Sequence, residues 1–292
     1  MLKIGFSGHE TFVCRNFWLK KGFDFVNDGH SFSAEDAVVS LGVGKNMVTS
    51  INYWMRGFNI LDREQHQITR LGSFLFERRD PFLEDMASLW LLHYSVISSE
   101  KVFLFNTFFN EFTKERSEFT KEHLISFMKR KTEAEELRLF SEKTYEADAT
   151  VFLRTYVRSN DGKADLEDET ANLLVELNLL STFYKENTEG KEIQWFRVLR
   201  QDRTNLPKAI LLFAILDRFG EQSQSIAFSD LLEAPNSPGV VFSMSEKGLE
   251  SHLRELAYEY GEHMIFSETA GNQVLQIKNS MNKWTVLEEY YA

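Results

Sequence analysis

The chain has 292 residues, 43% of them hydrophobic and 26% charged, with a formal net charge of −11. That length can bury the core of one large domain or two to three small ones, and that charge argues against a general, sequence-independent nucleic-acid binder. Cys14 is the single cysteine, which excludes an internal disulfide and a cysteine-rich zinc site. No apolar run approaches the ~20 residues needed to span a bilayer, and the stretch from Met1 to Gly5 lacks the layout of a secretory signal, so a cytoplasmic protein is expected.

The charge is unevenly spread. Residues 1–79 hold ten Lys/Arg against eight Asp/Glu, a net of +2, which leaves −13 for the remainder. Any contact with DNA should therefore be local to the N-terminal part. Phenylalanine is abundant at 26 residues and proline scarce at four; with long stretches of helical periodicity, this points to a mostly α protein.

Taken in chain order, residues 11–26 read as a first helix, with a break allowed near Gly22. His9 and Glu10 stand just before it. A His beside a Glu at such a place can be an acid/base pair, half a metal site, or a phosphate clamp with Arg15, Lys20 and Lys21. The simpler account has Glu10 compensating the helix dipole and His9 exposed in a loop.

Residues 33–72 carry the most information. Ser33 can cap a helix with Asp36 in its first turn, and Gly42 and Gly44 supply a tight turn, because glycine accepts positive φ without steric cost. In the helix that follows, a 3.6-residue period puts Met47, Val48, Ile51, Trp54, Met55 and Phe58 on one arc and Lys45, Asn46, Thr49, Asn52, Tyr53 and Arg56 on the other. One face anchors the helix. The other bears cations, amides, a hydroxyl and a phenol without an acid, the groups that meet phosphates and base edges. Residues 59–62 and 67–70 can then pair across Arg63 to His66 as a wing. Helix, tight turn, helix and hairpin is the order of a winged helix-turn-helix. Every soluble helix has a polar face, however, and many such domains bind only proteins.

Further on, residues 71–98 read as core helix, interrupted near Pro81, with His93 as an interior histidine. Phe103, Phe105, Phe108, Phe109 and Phe112 read as a core cluster. Thr120 caps a helix over residues 121–131. Residues 144–185 read as two helices around the Asn160-Asp161-Gly162 turn. Asp168 with Glu189-Gly190-Lys191 has the outline of a nuclease signature with tolerant spacing. From Leu206 a second winged-helix pattern runs through a helix to Phe219, a strand at 225–228, a short helix capped by Ser229, and a helix to Tyr260 capped by Ser243 with Glu246. Strands at 263–266 and 273–277 follow. Glu246, Glu250, Glu255 and Glu259 line that long helix and repel phosphate, so a structural or protein-binding role is expected there. Residues 284–291 read as a docking C-terminal helix. The expected architecture is mostly α with small β-hairpins: a winged helix-turn-helix over residues 1–80, a helical middle over 81–200, and a winged-helix-like domain over 201–292.

Gly8-His9-Glu10-Thr11-Phe12, with Arg15 and the run Trp18 to Gly22, resembles the opening of the family known as domain of unknown function 4007. Ala37 to Val48, with Ile51 and Trp54, resembles its next block, and Asp148 with Phe152, Leu153, Arg154 and Tyr156 a third. The resemblance spans nearly the whole chain. It implies a bacterial defence role in DNA phosphorothioation, beside a cysteine desulfurase, an ATPase and a reductase-like sulfur-transfer protein, with one member regarded as the DNA-nicking component. Nicking of double-stranded DNA commonly uses Mg²⁺ or Mn²⁺ held by carboxylates. His9 and Glu10 are the candidate catalytic residues, with Tyr53 a further nucleophile. Arg15, Lys20, Lys21, Lys45, Asn46, Thr49, Asn52, Tyr53, Arg56 and Arg63 are the candidate DNA contacts. The alternatives are a non-enzymatic winged-helix adaptor that positions the sulfur-transfer partner, and a transcriptional regulator.

Overall fold

The computed structural model describes residues 6–62, 64–137, 139–158 and 172–292. About half of the described residues are helical, and among them are two three-stranded antiparallel sheets. The chain divides into two compact units, residues 1–199 and 200–292. Among the described residues no helix is long and apolar enough to cross a membrane.

The first unit begins with α1 (Trp18–Asn27), α2 (Ala37–Leu41) and α3 (Lys45–Gly57). Phe25, Ala37, Leu41 and Val48 form a small core where the three meet, flanked by Val26, Phe32 and Val43. The first helix starts at Trp18 rather than Thr11, because residues 7–16 form a looped segment. It also runs unbroken through Gly22. A Cβ there would lie 2.8 Å from Met55 Cγ and 3.0 Å from Ile51 Cγ2, so glycine lets α1 approach α3 closely. The second helix starts at Ala37, with Asp36 at its N-cap position rather than Ser33. Gly42 closes it at φ +61°, as the glycine turn requires.

After α3, the chain turns back on itself. Among the described residues of this segment, Leu61 and Ile68 alone form a β-bridge, supported by Asp62 N–H to Gln67 O and Thr69 N–H to Ile60 O. The expected wing is thus a loop with one bridge rather than two strands. Arg63 lies outside the described residues.

Next come α4 (Arg70–Gly72), continued as a π-helical turn over Ser73–Arg79, and α5 (Met86–Ser98). α6 (Phe103–Thr107) passes through a second π-helical stretch, Phe108–Phe112, into α7 (Thr113–Glu115). All five phenylalanines of the expected cluster are buried, and the rings of Phe105, Phe108 and Phe109 meet Phe152 and Tyr156 of α9 (Glu142–Tyr156). His93 is fully buried, 3.0 Å from the Tyr156 hydroxyl; burial raises that hydroxyl well above its ordinary pKa.

α8 (Lys121–Ala134) is capped by Thr120, whose backbone N–H donates to His123 Nδ1. The expected second helix of residues 144–185 is not what the described part of that stretch forms. β2 (Leu180–Glu186) and β3 (Glu192–Val198) pair around Gly190, with β1 (Glu118–Phe119) on the other edge of β3. Phe119 and Phe196 stack on the buried face, which gives these aromatic segments more to bury as strands. Glu189 and Lys191 are exposed at the hairpin turn, while the Asn160-Asp161-Gly162 turn and Asp168 lie outside the described residues.

The second unit comprises α10 (Lys208–Phe219), β4 (Gln224–Ala227), α11 (Phe228–Glu233), α12 (Pro238–Val241), α13 (Glu246–Glu259), β5 (Met264–Thr269), β6 (Asn272–Ile277) and α14 (Lys283–Tyr290). Its sheet order is β4-β6-β5. Two caps differ from expectation. α11 begins before Ser229, after Ala227, and the N-cap of α13 is Ser245, whose Oγ accepts from Gly248 N–H at 2.9 Å. Ser243 is buried with φ +46° in the turn before it. The acidic face of α13 is partly paired: Glu259 with Lys208 of α10, and Glu250 with Arg254.

Candidate nucleic-acid interface

α3 divides as its periodicity demands. Val48, Ile51, Trp54, Met55 and Phe58 are buried, while Lys45, Asn46 and Thr49 are exposed and Asn52, Tyr53 and Arg56 half-buried. The N-cap, Gly44, offers no side chain to the first-turn N–H groups. Arg56 donates Nε–H to Asn52 Oδ1 at 3.0 Å and reaches His66 Nδ1 at 2.7 Å. The cations of α1 are placed differently. Lys20 pairs with Asp24 one turn on, and Lys21 donates to Leu41 O at the end of α2. The Arg15 guanidinium lies over the Trp18 ring, 5.6 Å from its centroid. Lys45, Asn46, Thr49, Asn52, Tyr53 and Arg56 thus share one surface, whereas Lys20 is paired within α1 and Lys21 ties α1 to the end of α2.

The loop bearing His9 and Glu10 rests on the same helix. Its backbone is tightly wound, with φ of +53° at Ser7, +48° at Glu10 and +67° at Thr11. Gly8 sits against Tyr53, so that a Cβ would lie 2.4 Å from Tyr53 Cδ2. The His9 ring meets Tyr53 edge-on at 5.6 Å and stacks near Trp54 at 6.3 Å. Trp54 donates its indole N–H to Phe12 O at 3.1 Å.

His9 is not an exposed loop residue; it is only 3% exposed. Nor can Glu10 compensate the dipole of α1, which begins eight positions later at Trp18. Glu10 is exposed. Thr11 N–H donates to His9 Nδ1 at 3.1 Å, which puts the ring proton on Nε2. That nitrogen lies 3.3 Å from Asp148 Oδ1 on α9, in range but without hydrogen-bond alignment. Asp148 in turn receives Ser7 N–H on both oxygens, at 3.3 and 3.1 Å. Asp148 is a site residue that residue chemistry alone does not single out. The available signal is an acid on the apolar stripe of α9, between Tyr145, Ala149 and Phe152.

This arrangement bears on the expected metal. A protonated Nε2 has no lone pair for an ion, and among the described residues no three His, Cys, Asp or Glu side chains gather. The described residues of this site do not form the oxygen-rich cage that Mg²⁺ favours.

Two solved structures share this fold. A magnesium ion-bound SspB crystal structure matches with TM-score 0.83 at 26% sequence identity, and a further SspB crystal structure with TM-score 0.81 at 27% identity. Each comparison covers 98% of this chain and 88% of the SspB chain. No curated protein matches the sequence significantly. The model of the family described as protein of unknown function DUF4007 matches residues 6–291, and the chain belongs to that family.

Proposed function

We propose that this protein is the DNA-binding component of a DNA phosphorothioation defence system, and that α3 is its DNA-contact helix. The single observation that carries the reading is the surface of α3. Lys45, Asn46, Thr49, Asn52, Tyr53 and Arg56 stand together on a helix that follows α2 and a glycine turn, with no carboxylate among them. Lys45, Asn46 and the unblocked first-turn N–H groups suit a phosphate, while Asn52 and Arg56 carry the groups that read base edges. Family membership and the SspB fold support the phosphorothioation context, in which a reductase-like sulfur-transfer protein and an ATPase are the partners.

We read residues 1–80 as a winged helix-turn-helix domain, with the bridged loop at 59–69 as a reduced wing, residues 81–200 as a middle region, and residues 201–292 as a winged-helix-like domain. The order helix, strand, helix, helix, strand, strand and the β4-β6-β5 sheet of the second unit support the last assignment. Its acidic α13 suits a protein partner better than DNA.

We extend the proposal to strand nicking at the loop seated on α3. Glu10 is its exposed carboxylate, and His9 holds the loop through Thr11 and Asp148. A second reading, a non-enzymatic adaptor that positions the sulfur-transfer protein on DNA, is favoured by one observation: both nitrogens of His9 face groups within the fold.

The test is binding of the full chain to duplex DNA over a series of salt concentrations. Binding should weaken steeply as salt rises and should collapse in Lys45→Ala/Arg56→Ala. Unchanged affinity in a folded double variant removes α3 as the contact helix.

A further inference from the structure

A cleft of about 290 Å³ opens where the polar face of α3 meets the loop after α1 and the loop around residue 66. Val26, Phe32 and Leu61 contribute its apolar lining, and His30, Ser31, Ser33, Asn52, Arg56 and His66 its polar lining. Among the described residues no carboxylate lines it. Asp62, the nearby acid, is directed instead at the backbone N–H groups of Glu64 and Gln65, at 2.8 and 2.6 Å.

The polar groups of the cleft share a pattern. Asn52 Oδ1 accepts from Arg56 Nε–H, so the Asn52 side chain presents its NH₂ outward. His66 Nδ1 faces Arg56 Nη2 at 2.7 Å, and because guanidinium can only donate, the imidazole proton sits on Nε2. Ser31 Oγ accepts from Ser33 N–H at 3.3 Å and pairs with Ser33 Oγ at 2.9 Å. The His30 ring lies parallel to Phe25, 5.1 Å between centroids, which fixes its plane. Asn52 Oδ1 and His66 Nδ1 are thus matched inside the cleft by Arg56, which directs the Asn52 NH₂ and His66 Nε2–H to a ligand as donors beside a guanidinium. Such a set is complementary to an oxyanion and not to a cation or a neutral acceptor-poor molecule.

We infer that this cleft is an oxyanion site that takes one phosphodiester group of the DNA lying along α3. The inference rests on the reading of α3 as a DNA-contact helix and adds four residues outside that helix, His30, Ser31, Ser33 and His66. It places a backbone contact beside Asn52 and Arg56, where it would fix the register of the helix on the duplex. Inorganic phosphate offers the same chemistry as a free ligand, so the two sources need separate arms.

In the first arm, the imidazole signals of the full-length protein are followed by NMR as inorganic phosphate replaces chloride at constant ionic strength, with His30→Gln and His66→Gln assigning the resonances. Saturable shifts at His30 and His66, lost in Ser33→Asp, are expected. In the second arm, duplex DNA binding is measured against salt for wild type, His66→Phe and Ser33→Asp. Residues 33 and 66 are exposed, so both variants should fold, which circular dichroism checks. His66→Phe should weaken binding several-fold by removing a hydrogen-bond donor to the phosphate while leaving the salt slope unchanged, because a neutral imidazole releases no counterion, and Ser33→Asp should weaken binding at least about tenfold by placing a carboxylate against the phosphate. Phosphate shifts with unaltered DNA binding in both variants would assign the cleft to a free phosphoryl ligand and overturn the backbone contact. Absence of saturable shifts together with unaltered DNA binding overturns the site altogether. If wild type binds no duplex, the DNA reading falls, and with it the backbone contact, while the phosphate arm still decides whether the cleft holds oxyanions.

Discussion

His9 Nε2 and Asp148 Oδ1 lie 3.3 Å apart, joining the loop at the start of the chain to the buried face of α9. Asp148 also takes Ser7 N–H on both carboxyl oxygens. One side chain of the middle region therefore holds the loop that seats on α3. The positive φ values at Ser7, Glu10 and Thr11 persist because contacts on both sides of the loop over-determine it.

Removal of that anchor should be costly. Asp148→Ala removes the charged acceptor of Ser7 N–H and the carboxylate beside His9 Nε2, and a hydrogen bond to a charged group is worth about 1.5–3 kcal/mol. Urea unfolding should show a loss of about 1.5–3 kcal/mol, and Asp148→Asn, which keeps one acceptor oxygen, should lose less. A midpoint for Asp148→Ala equal to that of wild type would mean that the loop is held by something else.

Gly8→Ala tests the seat itself. The new methyl would lie 2.4 Å from Tyr53 Cδ2 and 2.9 Å from Cε2, so the ring must swing away. Overpacking of this kind costs about 1–3 kcal/mol. Because Tyr53 belongs to the proposed DNA face, duplex affinity should fall as well. A variant with lowered melting temperature but wild-type affinity would separate Tyr53 from DNA contact.

Strand nicking is checked on supercoiled plasmid with added Mg²⁺ or Mn²⁺. Wild type should yield open-circle product, and Glu10→Ala should abolish it while retaining duplex binding. His9→Ala should lose both nicking and stability, since His9 holds the loop. No open-circle product from folded, DNA-binding wild type would replace the nickase with the adaptor.

In the second unit, Gly248→Ala should be far more disruptive than Ser245→Ala. A Cβ at position 248 would lie 2.3 Å from Asp202 Cα and 2.6 Å from its carbonyl oxygen, and backbone cannot turn aside as a side chain can. Ser245→Ala removes the cap bond to Gly248 N–H and the hydroxyl's bond to the Asp202 carboxylate, a loss of about 1–2 kcal/mol. Thermal unfolding of the full chain reads both. Equal losses would show that α13 does not approach Asp202 so closely.

Sequence periodicity by itself determined α3 and its two faces, because a 3.6-residue repeat of large apolar side chains has one way to be buried. It also determined the glycine turn at Gly42, the phenylalanine core, and the hairpin at the end of the second unit, each set by local chemistry. Elsewhere local chemistry left a choice. Residues 180–198 could bury aromatic rings from either helix or strand, and the pairing of β2 with β3, extended by β1, gives strand. Ser243 and Ser245 are both competent caps, and the turn before α13 selected the second. His9, read from its neighbours, stands in a polar loop; only folding brings it to Asp148 and Trp54 and buries it. The cleft at His30 and His66 is likewise a product of tertiary structure. A helix face depends on residues three and four apart, whereas a buried polar pair or an oxyanion cleft depends on segments whose meeting no local spacing encodes.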